Sequence, residues 1–142
     1  MKKPTLLLVT NTIKAKAYDV NGFKYLHIED LEHPQSRLKA QQLTSDSPGN
    51  YHSRKFIPAS DPHKQEHMHF AKVVAEFIKE VVDKKHYKQV ILCAEPYFYG
   101  LLKQFFTSVL KSLVVKVIEK DYIPLPEHKL NETIEAIIHE PF

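Results

Sequence analysis

Short unbroken apolar runs alternate along this chain with longer stretches of helical spacing. Leu6, Leu7, Leu8 and Val9 form one run inside Thr5–Thr10, and Gln89–Ala94 holds another. Such runs mark strands covered on both faces. Val114–Ile118 reads as a further strand. Residues 15–28 read as a hairpin around Asn21-Gly22, a pair that tolerates positive φ at both central turn positions. A two-residue turn there sets Val20 opposite Phe23, Asp19 opposite Lys24 and Tyr18 opposite Tyr25. Both faces of this hairpin carry apolar residues, so it needs cover on both sides.

The helical stretches are as clear. Asp61-Pro62 is a strong start, with Asp as N-cap and Pro at the first helical position. From there Phe70, Val73, Val74, Phe77, Ile78 and Val81 keep one face apolar to residue 84 or 85. Residues 96–113 read as one helix with Leu101, Leu102, Phe105, Val109 and Leu113 on a stripe. Residues 126–139 read as a last helix with Leu130, Ile134, Ile137 and Ile138 inward. His33-Pro34 opens a short helical stretch over 35–43, and residues 44–61 show no apolar period. An irregular loop of that length is unusual in a compact domain and points to function or disorder. Helix and strand alternate in the later half, which implies parallel pairing through right-handed crossovers. The expectation is a single α/β domain: a mixed, mostly parallel sheet with an N-terminal antiparallel hairpin and helices packed on it.

A length of 142 residues fits one domain, and 43% hydrophobic with 26% charged residues is an ordinary globular balance. The net charge of +3 is too mild to announce nucleic acid by itself. The only cysteine is Cys93, so no internal disulfide forms, which favours a reducing compartment. Met1-Lys2-Lys3 is basic like a signal peptide. The apolar run behind it is far shorter than the roughly 7–15 residues of a signal segment or the ~20 of a membrane span. A cytoplasmic protein with no membrane partner is expected.

Three places could carry chemistry. On the long helix the apolar seam turns into His67 and His63, one turn apart, with Glu66 beside them, the spacing for two ligands on one metal. The plainer reading is a helix end that overhangs the core. No HExxH occurs, since Glu66 directly precedes His67. The second place is residues 35–64, where Arg37, Lys39, Arg54, Lys55 and Lys64 face only Asp46 and Asp61. Both arginines of the chain lie there, and they are the better forks for phosphate. The segment ends at a helix N-terminus, which attracts anions. A solvated loop is the competing reading. The third place is Glu95-Pro96-Tyr97-Phe98-Tyr99-Gly100, beyond the carboxyl end of a buried strand, where ligands of open α/β sheets usually sit. Cys93, inside an apolar strand, reads as an inert thiol. The three glycines, Gly22, Gly49 and Gly100, allow no phosphate-binding glycine loop, and no GxSxG elbow occurs.

Several segments together resemble a known family. His33-Pro34-Gln35-Ser36-Arg37-Leu38-Lys39, then Leu43-Thr44-Ser45-Asp46-Ser47-Pro48-Gly49, is similar to a block of the bacterial host-attachment protein family. Asp61-Pro62-His63-Lys64-Gln65-Glu66-His67 with Phe70-Ala71 resembles that family's helix start. Residues 90–102 resemble that family's strand and helix, and residues 114–125 resemble a later segment of it. The family is grouped with relatives of the middle domain of archaeal and eukaryotic class-1 peptide-chain release factors. The resemblance implies that α/β fold, in which a Gly-Gly-Gln loop before a long helix promotes peptidyl-tRNA hydrolysis on the ribosome. This chain has Pro48-Gly49-Asn50 at the matching place and no Gly-Gly-Gln. It also has Ser47 and Asn50 where the family carries arginines. The expectation is an RNA- or ribosome-associated binding module without a cofactor. In it Arg37, Lys39, Arg54, Lys55 and Lys64 pair phosphates and Asn50 sits at the probing tip. A protein-interaction role in host attachment, and a hydrolase with metal on His63 and His67, are the alternatives.

Overall fold

Leu6, Leu7, Leu8 and Val9 are all fully buried, which requires cover on both faces of their strand. The computed structural model describes residues 3–33 and 62–140 and supplies that cover. The strands are β1 (Thr5–Thr10), β2 (Lys14–Asn21), β3 (Lys24–Glu32), β4 (Gln89–Ala94) and β5 (Val114–Ile118). The helices are α1 (Pro62–Lys85), α2 (Pro96–Leu102), α3 (Ser108–Leu113) and α4 (Glu127–His139), with a 3-10 turn at Lys103–Phe105. The sheet order is β3-β2-β1-β4-β5. The β1–β4 and β4–β5 ladders are parallel, and the β1–β2 and β2–β3 ladders antiparallel, so β2 alone runs against the other strands. This is the α/β architecture expected from the sequence.

The alternation of side chains splits the core in two. Leu6, Leu8, Ala15, Ala17, Val90 and Leu92 meet Phe70, Val74 and Ile78 of α1 and Phe98 of α2 on one face. Leu7, Val9, Tyr18, Val20, Ile91 and Cys93 meet Leu130, Ile134, Ile137 and Ile138 of α4 on the other. Each Leu, Ile, Val or Phe among them contributes roughly 1.5–3 kcal/mol on burial. The α1 stripe is centred slightly off the expected line: Ala71, Ala75 and Val82 are buried, while Val73, Phe77 and Val81 pack at its margin.

Two expectations need correction. The hairpin turn falls on Gly22 and Phe23, because Asn21 pairs with Lys24, Val20 with Tyr25, Asp19 with Leu26 and Tyr18 with His27. Gly22 has φ 66°, and Phe23 is not among the positive-φ residues. One positive φ at the first central position is the type II′ requirement, and glycine meets it without a Cβ penalty. Placing the turn at Asn21-Gly22 would have asked it of Asn21 as well. The register then shifts once more, since Ala17 faces Glu29 and Ile28 is the extra, bulged residue. That bulge lets both Ile28 and Leu31 pack on the α1 side.

Residues 96–113 are not one helix. After the 3-10 turn, Phe106 is extended (φ −78°, ψ 131°) and Thr107 starts α3 afresh, its hydroxyl accepting from the Leu110 N–H at 3.1 Å. The restart rotates the phase, so Leu110 is buried and Val109 is 71% exposed. The 35–43 helix, the 44–61 loop and the Asp61 cap lie outside the described residues.

Candidate functional site

α1 ends just before β4 begins, so its N-terminus lies at the carboxyl ends of β1, β3 and β4. His33, which follows β3, donates from Nε2 to the Glu66 carbonyl in α1 at 2.9 Å. Tyr97, just after β4, places its hydroxyl 3.0 Å from His67 Nδ1, with the rings edge-on at 5.6 Å. Two segments that sequence spacing kept apart are thereby joined. β1 is the point where the chain turns to β2 on one side and later to β4 on the other, the usual place for a ligand crevice.

His33 is fully buried and stacks on Phe70 with 5.2 Å between ring centroids. A carbonyl only accepts, so Nε2 carries the ring proton. Spacing along the chain assigns His33 no role beyond opening a helical stretch. No local periodicity marks a histidine that packs 37 residues away, on Phe70. His63 and Lys64 are exposed on the first turn of α1, which contains no acidic residue, and Glu66 and His67 are half-buried. Among the described residues no group of three or more His, Cys, Asp or Glu side chains is placed to hold a metal ion. Arg37, Lys39, Asn50, Arg54 and Lys55 lie outside the described residues.

Glu95 is a cap. Its Oε2 accepts from the Tyr97 N–H at 2.9 Å and its Oε1 from the Phe98 N–H at 3.0 Å. The carboxylate thus fixes the start of α2 and with it Tyr97. At the end of β1, Asn11 is buried and ties three segments. Its Oδ1 accepts from the Ile13 and Lys14 N–H groups at 3.0 Å, and its Nδ2 donates to both oxygens of Asp121 at 3.2 Å. Asp121 also accepts from the Ile123 N–H, which ties the 119–126 connection to the end of β1. Cys93 is fully buried, and that burial pushes its thiol up to about 12, as an inert thiol requires. The edge is therefore tied together by hydrogen bonds from Asn11, His33, Glu95 and Tyr97. His63 and Lys64 lie on the first turn of α1, at the positive end of its dipole.

No helix among the described residues is long and apolar enough to cross a membrane. The fold is similar to a crystal structure of an archaeal translation termination factor, with TM-score 0.51 and 14% sequence identity over 94% of this chain. The chain spans only 36% of that protein, and the likeness concerns the fold. An uncharacterized protein of Rickettsia prowazekii (strain Madrid E) is 29% identical over 143 aligned residues, covering 93% of this chain and 91% of the relative. Residues 6–134 match the family model described as "Protein required for attachment to host cells", and the chain belongs to that family.

Proposed function

We propose that the chain is a non-enzymatic RNA- or ribosome-associated binding module acting in the cytoplasm. Arg37, Lys39, Arg54, Lys55 and Lys64 pair phosphates in it, and Asn50 lies at the contacting tip. The distribution of charge carries the reading. Residues 35–64 hold five Lys and Arg against two Asp, a local +3 that equals the net charge of the whole chain. The remaining residues therefore balance 15 cations against 15 carboxylates. In sequence this stretch runs into the start of a 24-residue helix whose first turn has no acidic side chain. Free N–H groups and the helix dipole favour anions at that place. The likeness to a fold used by a translation termination factor supports a ribosomal partner. The absence of Gly-Gly-Gln favours binding over peptidyl-tRNA hydrolysis.

The test is co-sedimentation with ribosomes, together with filter retention of single-stranded RNA, across a salt series. Five phosphate contacts on single-stranded RNA give a log–log salt slope near −3.5, so affinity falls by roughly 100-fold between 50 and 200 mM salt. The Arg37→Ala/Arg54→Ala variant should flatten the slope by about 1.4. No retention at low salt, or an unchanged slope in the variant, refutes the reading. Secretion of the protein with capture by a host-cell surface would favour the attachment role in its place.

A further inference from the structure

A groove of about 430 Å³ opens at the β5 edge of the sheet, on the face that carries α2 and α3. It lies under the break between the two helices. The 3-10 turn and the extended Phe106 interrupt what would otherwise be one helix across β5. Phe106, Tyr99 and Val117 are half-buried and form apolar walls. The polar lining is Lys103 from the 3-10 turn, Lys111 from α3 and the Gln104 amide, with no carboxylate. Among the described residues no carboxylate pairs with either ammonium.

Two cations beside one apolar concavity repel each other, and an anion held between them removes that cost. Lys103 is already positioned, since its ammonium lies 5.4 Å from the centroid of the Tyr99 ring. Gln104 donates one N–H to the Gly100 carbonyl at 3.2 Å, which holds its amide in place and leaves the amide oxygen as an acceptor. The volume falls within the range of about 300–1,000 Å³ common for small-ligand sites. An aromatic wall, one amide and two ammonium groups form the complement of a planar ring carrying a phosphate.

We infer that this groove binds a nucleoside monophosphate unit, with its ring against Phe106, its phosphate between Lys103 and Lys111, and the Gln104 amide at the ring edge. The unit can be a free nucleotide or the 5′-terminal nucleotide of an RNA, which present the same chemistry. None of the residues invoked for it lies in 34–64, so the inference is tested separately from the cationic segment.

The experiment is titration of the whole chain by calorimetry and NMR with 5′-AMP, adenosine, inorganic phosphate and a 5′-phosphorylated oligoribonucleotide. AMP should bind at least about tenfold more tightly than adenosine or phosphate. Lys103→Ala/Lys111→Ala, a change of two exposed side chains, should weaken AMP by about tenfold or more. Arg37→Ala/Arg54→Ala should leave AMP binding unchanged. Tighter binding of the oligonucleotide, displaced by AMP, identifies an RNA end, and equal affinities identify a free nucleotide. The inference is overturned if AMP does not bind at about 1 mM, if phosphate alone matches it, or if the double lysine variant binds as well as the parent.

Discussion

Replacing Asn11 by aspartate tests whether the end of β1 is braced as described. Asn11 uses its amide oxygen for two backbone N–H groups and its amide nitrogen for both oxygens of Asp121. The Asn11→Asp variant keeps an acceptor for the backbone. It loses the donor and sets two carboxylates against each other across a 3.2 Å gap. Coulomb's law gives ~5 kcal/mol at that distance for an effective dielectric of 20, and ~1.3 kcal/mol in water. Asn11 is buried and Asp121 exposed, so the penalty lies between those limits, about 2–3 kcal/mol. For a domain of this size that lowers the thermal midpoint by roughly 6–12 °C. The introduced carboxyl group is driven toward its protonated form, above the ~3.9 of an unfolded chain. The penalty is therefore full at neutral pH and shrinks as pH falls through that raised value. Thermal unfolding of parent and variant at pH 7 and pH 4.5 measures both parts. Asn11→Ala is the control: it also destabilises, but its deficit lacks this carboxylate-pair pH dependence. A midpoint within about 1 °C of the parent at pH 7, or a deficit equal at both pH values, refutes the brace.

Ile134→Ala in α4 should cost about 2–5 kcal/mol in urea unfolding, and a loss under about 1 kcal/mol would contradict a second core beneath the sheet. Cys93 should react with a thiol reagent at pH 8 only as fast as the chain unfolds, and immediate labelling would contradict its burial. Burial pushes the Cys93 thiol and the Tyr18 and Tyr87 phenols up to about 12, so their neutral forms are favoured in the fold. The unfolded chain releases these protons first, and stability should fall as pH rises from about 9 toward 12. A flat chemical-denaturation series over that window would refute this. Tyr97→Phe should leave stability within about 0.5 kcal/mol yet shift the His67 ring nitrogen resonances, because it removes the hydroxyl at Nδ1.

Elements set by local pattern were legible in the chain. β1, β4 and β5 have the expected bounds, and Leu130, Ile134, Ile137 and Ile138 are the buried stripe of α4. Their burial is dictated by runs and periods that lie within a few residues. The turn at Gly22-Phe23 was not legible, because Asn21-Gly22 and Gly22-Phe23 each supply a glycine and only pairing across the strands decides between them. The break at Phe106 was hidden because 3.6-residue periodicity does not register a threonine that caps a new helix. In the site, the histidine seam of α1 and the aromatic segment after β4 were both visible as separate features. Their meeting at His67 and Tyr97 is a product of sheet order, which spacing along the chain does not encode. Glu95 looked like chemistry and is a helix cap, since a carboxylate before proline serves either role in a bare sequence.

The central position of β1 has a consequence for how the molecule is made. Its first ladder partner, β2, follows within a few residues, but Thr5 meets Gln89 across 84 residues of chain. At roughly 5–20 residues per second, a ribosome needs about 4–17 s to supply that second neighbour. Throughout that interval the Leu6–Leu7–Leu8–Val9 run has an unsealed flank on the nascent polypeptide. Pauses in translation upstream of residue 89 would prolong that exposure, whereas pauses after β4 has emerged would leave it unaffected.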